Sequence, residues 1–168
     1  MEENVIKTNK DSYVTGIIGA VIGGAIGAIP WVLAYVYGGM MLSILAALIA
    51  AGEFYGYKLA KGKMNKSLPV IIMILAIIIV TIATLLVIPA LLMQKEGIKV
   101  TLLNLEILYL NSEFSAAIMK DYVISVIFTI LGASIITSNI KKQFDENGEG
   151  KDIKLGLSNK KDTIVEDK

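Results

Sequence analysis

The sequence contains no cysteine, no histidine and no arginine, and each absence removes a class of function. Without cysteine there is no disulfide, no thiolate nucleophile and no cysteine-rich zinc or iron–sulfur site. Without histidine the chain lacks the usual proton carrier near neutral pH, and without arginine it lacks the planar donor that grips phosphate and carboxylate groups. Serines therefore have no histidine to activate them, and we expect no enzyme and no catalytic residue.

Charged residues are also scarce, at 18 % of the chain, whereas hydrophobic residues make up 55 %. This composition is typical of a membrane protein. The segment before the first apolar stretch carries more acidic than basic residues, so we expect no cleaved signal peptide. The sequence predicts an all-α membrane protein with a single transmembrane domain, 1–142, and a disordered cytoplasmic tail, 143–168.

Residues 12–52 carry no charge, and this stretch is long enough for two crossings of roughly 20 residues each. The neighbouring glycines Gly38 and Gly39 mark the natural point of reversal. Pro30 and Pro89 predict kinks in the first and third spans. The third span is apolar nearly all round and is predicted to face lipid. Four transmembrane helices are predicted in total, at about 13–37, 39–60, 68–93 and 120–140.

The first two spans are rich in small residues at intervals of four, which places them in rows on a helix. In water each interior glycine costs about 0.5–1 kcal/mol relative to alanine. In lipid, however, small residues let two helices approach closely enough for dispersion contacts to hold them together. We therefore predict a glycine-zipper hairpin between spans 1 and 2, with a packing face formed by Gly16, Gly19, Ala20, Gly23, Gly24, Gly27, Gly52 and Gly56.

The segment 94–121 is interrupted by charges too often to be a span. Its leucines fit one face of a helix, but they also fit strand alternation. We expect a short, outward-facing helical excursion, followed by a second helix that Asn111 or Ser112 caps and that leads into span 4.

Aromatic residues and hydroxyl-bearing residues also occur within the predicted spans. Trp31, Tyr35 and Tyr37 follow Pro30, and their amphipathic rings favour the membrane–water interface. In span 4 a row of hydroxyl-bearing and small residues has the same four-residue spacing, which fits helix packing or, alternatively, the lining of a solute path. The members of that row are Ser125, Thr129, Ala133 and Thr137.

Glu53 is the one acidic residue deep inside a predicted span. Counted from Gly39, it lies about 21 Å along span 2. A carboxylate costs about 2.5–3.5 kcal/mol at the centre of a membrane, so it should face the bundle or water. One interpretation places Glu53 among the head groups beside Tyr57 and Lys58. The other makes it a cation or proton site, with Tyr55, Tyr57 and the hydroxyls of span 4 as partners.

Lysines set the predicted orientation. The loop between spans 2 and 3 carries Lys58, Lys61, Lys63 and Lys66, and no acid lies among them. The positive-inside rule therefore places this loop and both termini in the cytoplasm. Acidic and basic residues balance in the tail, whereas an arm that binds nucleic acid would be one-sided in charge.

Two segments of the chain, GIIGAVIGGAIGAIPW and GEFYGYKLAKGK, resemble a group of small, uncharacterised membrane proteins of Gram-positive bacteria. The likeness covers residues 13–66. It implies a multi-pass protein of the bacterial inner membrane with about four helices, and it supplies no activity and no site residues. The first span has no glutamate, unlike that of the small four-span multidrug exporters, so the chain is not assigned to that family.

The sequence leaves two functions open. The first is a non-enzymatic membrane component that packs against or binds another membrane protein. The alternative is a small oligomeric transporter or channel that uses Glu53 as a cation or proton site. Neither needs a cofactor or a metal ligand, and the expected partners are the lipid bilayer, a second copy or another membrane protein.

Overall fold

The structure, a computed structural model, describes residues 12–39, 45 and 47–147. Over these residues the chain is helical and contains no strand. Helices are numbered in chain order: α1, Tyr13–Gly38; α2, Ala47–Leu59; α3, Leu68–Lys95; α4, Leu102–Leu110; and α5, Ser112–Asn147.

Three parts of this fold are long and apolar enough to cross a membrane, namely α1, α3 and the Ser112–Lys142 portion of α5. Their mean hydropathies are 2.1, 3.3 and 2.0. By contrast, α2 has 13 residues, which span about 20 Å and fall short of the roughly 30 Å of hydrocarbon. Residues 40–44 and 46, which the predicted second span includes, lie outside the described residues. Over its described residues the protein is therefore all-helical, with three candidate membrane spans.

The bounds of α1 follow from its local sequence. Ser12 begins the helix, because its Oγ accepts a hydrogen bond of 3.3 Å from the backbone N–H of Val14. Gly39 ends it in the left-handed conformation, with φ of 59°, which glycine adopts without strain. The helix continues through Pro30. These bounds match the predicted first span, 13–37, to within one residue.

One π-helical turn, Ala83–Val87, interrupts α3 just before Pro89. Proline has no N–H to donate to the carbonyl four residues earlier, which here belongs to Leu85. Tyr109 of α4 donates to that carbonyl at 2.6 Å. Burial raises the pKa of the Tyr109 hydroxyl, which keeps it a donor. A π turn thus precedes Pro89, and the hydrogen bond from α4 helps to stabilise it, whereas the kink predicted at Pro89 stays a prediction.

The excursion between α3 and α5 contains the short helix α4, so its leucines follow the helical and not the strand alternative. Asn111 then caps α5, because its Oδ1 accepts hydrogen bonds of 3.0 Å from the N–H groups of Glu113 and Phe114. Helix α5 consequently begins at Ser112, earlier than the predicted start of span 4 at residue 120.

The other end of α5 extends beyond prediction as well. The helix continues past the lysine pair at 141–142 and ends at Asn147, so residues 143–147 of the predicted disordered tail are helical. No glycine or proline lies between Gly132 and Gly148, and nothing in the local sequence stops the helix earlier. The remainder of the predicted tail, 148–168, lies outside the described residues.

The helices form a bundle in which α1 contacts α2 most extensively, α5 packs against α2 and α3, and α3 packs against α1. Helices α2 and α5 run antiparallel to α1 and α3. The expectation that α3 faces lipid on all sides is wrong, because Leu68, Ile72, Ala76 and Val80 have no exposed surface. Their four-residue spacing defines a buried stripe, whereas Ile78 on the opposite face is 47 % exposed.

Candidate functional site

The backbones of α1 and α2 meet at glycines. A Cβ atom built on Gly23 would lie 2.9 Å from the carbonyl carbon of Gly52, and one on Gly56 would lie 2.8 Å from that of Gly19. Neither position has room for a side chain larger than hydrogen. Small residues at a four-residue spacing thus bring the two helices into backbone contact.

All eight predicted packing residues lie on the inner or contacting faces of α1 and α2. Gly16 packs against Tyr57 and Gly62, and Gly27 packs against the backbone of Leu48. Ala20 has no exposed surface. Gly24 differs from the others, because its missing side chain leaves room for the side chain of Glu53.

Glu53 is fully buried at the point where α1, α2 and α3 meet. It follows Gly52 on α2, so the turn of the helix carries its side chain from the glycine contact toward the interior. A Cβ atom built on Gly24 would lie 2.6 Å from Glu53 Cγ, 3.1 Å from its Oε1 and 2.5 Å from Cδ1 of Ile79. The carboxyl group therefore lies between a helix backbone and an aliphatic side chain and has no exposed surface.

Neither carboxyl oxygen of Glu53 has a hydrogen-bond partner within the described part of the chain. An unpaired carboxylate in a low-dielectric interior is strongly disfavoured, so the group needs a proton or a bound cation. Burial against other helices does not fix the depth of Glu53 in a membrane, so its placement among the head groups beside Tyr57 and Lys58 stays a prediction.

The tyrosines expected to partner Glu53 lie elsewhere. Tyr55 is 51 % exposed, with its ring against the edge of Phe54. Tyr57 is buried, but its hydroxyl donates to the backbone carbonyl of Lys63 at 2.9 Å. The hydroxyl of Tyr57 therefore binds the loop after α2, and the side chain of Glu53 lies beside α1 and α3 instead.

Other buried polar atoms also lack partners among the described residues. They are the indole nitrogen of Trp31 and the hydroxyl groups of Ser125 and Thr129. Trp31 is 1 % exposed and points into the bundle, whereas Tyr37 is 63 % exposed. Because exposure does not measure depth in a membrane, the position of both rings at the interface stays a prediction.

A second polar contact lies at the end of the bundle where α5 begins. The hydroxyl of Tyr35 on α1 donates to the carboxylate of Asp121 on α5. Next to it, Nζ of Lys95 donates to the backbone carbonyl of Val36 at 3.1 Å. The sequence analysis missed this pairing, because residues 86 positions apart leave no local signal.

The composition of the site limits its chemistry. Among the described residues no group of three or more aspartate, glutamate, histidine or cysteine side chains could hold a metal ion. A divalent cation usually requires several oxygen ligands and more than one negative charge. A single buried carboxyl group fits a proton or a monovalent cation better.

No protein-family model, no curated protein and no solved structure matches this chain.

Proposed function

We propose that the chain is a multi-pass plasma-membrane protein that binds a proton or a small monovalent cation at Glu53 and acts as a small oligomeric transporter or channel. The observation that carries this proposal is the fully buried carboxyl group, whose two oxygens have no partner among the described residues. Ionisable groups inside a membrane are costly, and they typically mark ion or proton pathways.

The surroundings of Glu53 support an exchangeable ligand. A residue needed only for packing would be better served by an apolar side chain of similar volume, because a buried unpaired polar group costs about 1–3 kcal/mol or more. Gly24 provides the space in which the carboxyl group sits. A bound proton or cation would neutralise the charge, and its release would restore the charge.

The proposal includes a topology with four spans, of which 39–60 is the second, and with a glycine-zipper hairpin between the first two. The lysine-rich loop 58–66 and both termini are cytoplasmic, and the excursion that contains α4 is external. The close backbone approach at Gly23 and Gly52 supports the hairpin. The resemblance of residues 13–66 supports a bacterial inner membrane.

Ion flux measured in proteoliposomes tests the function. The purified protein is compared with Glu53→Gln, which keeps the shape of the side chain and removes its charge, and with Glu106→Gln, which changes an exposed acid on α4. We expect proton or monovalent-cation flux from the unchanged protein and from Glu106→Gln, and none from Glu53→Gln at equal oligomer mass. Equal flux from all three proteins, or no flux above that of empty liposomes, would overturn the proposal.

The second candidate is a non-enzymatic component that binds another membrane protein. A shallow groove of about 490 Å³ on the outer face of the hairpin favours it. Gly23, Gly52 and Gly56 line this groove, and Ile22 and Tyr55 flank it. Such a surface lets a further helix approach closely. Mass measurement after purification with native lipids separates the candidates, since a complex containing only copies of this chain contradicts the second.

A further inference from the structure

Two hydroxyl groups on the inner face of α5 have no hydrogen-bond partner among the described residues, although their side chains are fully buried. They belong to Ser125 and Thr129, which have no exposed surface. In helices such groups ordinarily bond to the carbonyl four residues earlier. Thr84 and Ser138 do so here, at 2.8 and 2.6 Å. The hydroxyls of Ser125 and Thr129 do not use this bond and are available to a different ligand.

These two residues, called the α5 hydroxyl row below, continue from a half-buried carboxylate. Asp121, Ser125 and Thr129 occupy every fourth position of α5, so their Cα atoms lie about 6 Å apart along one face of the helix. Asp121 accepts the hydrogen bond from Tyr35 at the end of the bundle. Trp31, one turn earlier on α1, has a buried indole N–H that also lacks a partner in the described structure. Unsatisfied donors are thus concentrated toward the Asp121 end.

Toward the lysine-rich loop, no further buried hydroxyl without a partner follows among the described residues, because Thr137, the next hydroxyl-bearing member of the span 4 row, donates to the backbone carbonyl of Ser134 at 3.3 Å. Phe54 and Leu68 there are apolar and have no exposed surface. Tyr57 is also buried, its ring fills the space beside Gly62, and its hydroxyl already donates to the loop. This end of the bundle is therefore closed by packed side chains whose polar atoms have partners.

We propose that water enters the bundle from the Asp121 side along the α5 hydroxyl row, and that a hydrated proton or monovalent cation reaches Glu53 by this route and not from the lysine-rich loop. Water would supply the partners that the buried hydroxyls lack. Gly132, about one turn after Thr129 on α5, packs against Ala47 of α2, and the Cα of Ala47 lies about 9 Å along the helix axis from that of Glu53. That the ion binds at Glu53 rests on the proposed function.

Cysteine accessibility tests the route, because the natural chain has no cysteine to replace. Single-cysteine variants Ser125→Cys and Thr129→Cys are treated in membrane vesicles of both orientations with a membrane-impermeant, positively charged methanethiosulfonate. The cysteine thiolate attacks the reagent, a mixed disulfide forms and methanesulfinate leaves. A thiolate forms only where water can take up the thiol proton. Ala76→Cys, buried on α3, and Ile127→Cys, half-exposed on the outer face of α5, are the dry controls.

Leu110→Cys and Lys66→Cys, which lie in exposed positions at opposite ends, report the orientation of the vesicles. With reagent on the Leu110 side, we expect the two row variants to react at least about tenfold faster than the dry controls. With reagent on the Lys66 side, we expect no difference. Reaction only from the Lys66 side, or rates equal to the dry controls from both sides, would overturn the route. Cysteine labelling does not depend on ion flux. A Glu53→Gln variant with unchanged flux would therefore contradict the proposed function and would leave the labelling test of the route unaffected.

Discussion

The hydroxyl of Tyr109 donates a hydrogen bond of 2.6 Å to the backbone carbonyl of Leu85. Pro89, four residues after Leu85, has no N–H that could donate to this carbonyl. A short helix outside the spans is thus attached to the one irregular turn of α3. Helices α4 and α3 are therefore expected to lose stability together when this bond is removed.

Tyr109→Phe removes only the hydroxyl and leaves the ring packed edge-on against Phe114. We expect it to lower the free energy of unfolding by about 1 kcal/mol, which is typical of one hydrogen bond. Thermal unfolding in detergent measures this, with Tyr37→Phe at an exposed position as the control. Equal melting temperatures for the two variants would show that the bond contributes nothing to stability.

Gly23→Leu is expected to disrupt the fold, because even a Cβ atom at this position would overlap the backbone of Gly52. We expect a loss of more than about 2 kcal/mol of stability, in the range of severe overpacking. Ile78→Ala, on the exposed face of α3, should cost less than about 1 kcal/mol, because it removes contacts with lipid and not with another helix. Detergent-solubilised stability decides the comparison, and equal losses would contradict it.

Glu53→Met should raise the melting temperature while it abolishes ion binding. The substitution replaces an unpaired buried carboxyl group with an apolar side chain of similar size, and it thereby removes a desolvation cost. Glu106→Met, at an exposed position on α4, controls for the change in composition. A lower melting temperature for Glu53→Met would mean that the native carboxyl group has a stabilising partner.

Reporter fusions test the proposed topology. Alkaline phosphatase is active only outside the cytoplasm, so a fusion after Lys63 should be inactive and a fusion after Gly97 should be active. A fluorescent protein that folds in the cytoplasm should give the opposite pattern at the same two positions. An active phosphatase after Lys63 would place the lysine-rich loop outside and invert the proposed orientation.

Local chemistry allowed the sequence to predict much of the fold. Apolar length predicted the three candidate spans that the structure contains, together with a fourth that it does not establish, and Asn111 caps α5 as its side chain predicts. The glycines that the sequence places at four-residue spacing include Gly23, Gly52 and Gly56, at which the backbones of α1 and α2 approach closely. Each of these signals lies within a few turns of one helix, so no knowledge of the neighbouring helices was needed.

The sequence by itself determined that the described chain is helical, with helices long and apolar enough to cross a membrane and one acidic residue in an otherwise apolar region. Only the tertiary structure decided that this acid points into the bundle, because Gly24 and Ile79, which lie beside it, are distant in the sequence. The same holds for Trp31, which is buried, and for α3, whose buried stripe is invisible in a helix that is apolar on every face. The side of a helix that is buried depends on which helix packs against it. Gly24 leaves room for the side chain of Glu53 only because α1 and α2 pack in this register.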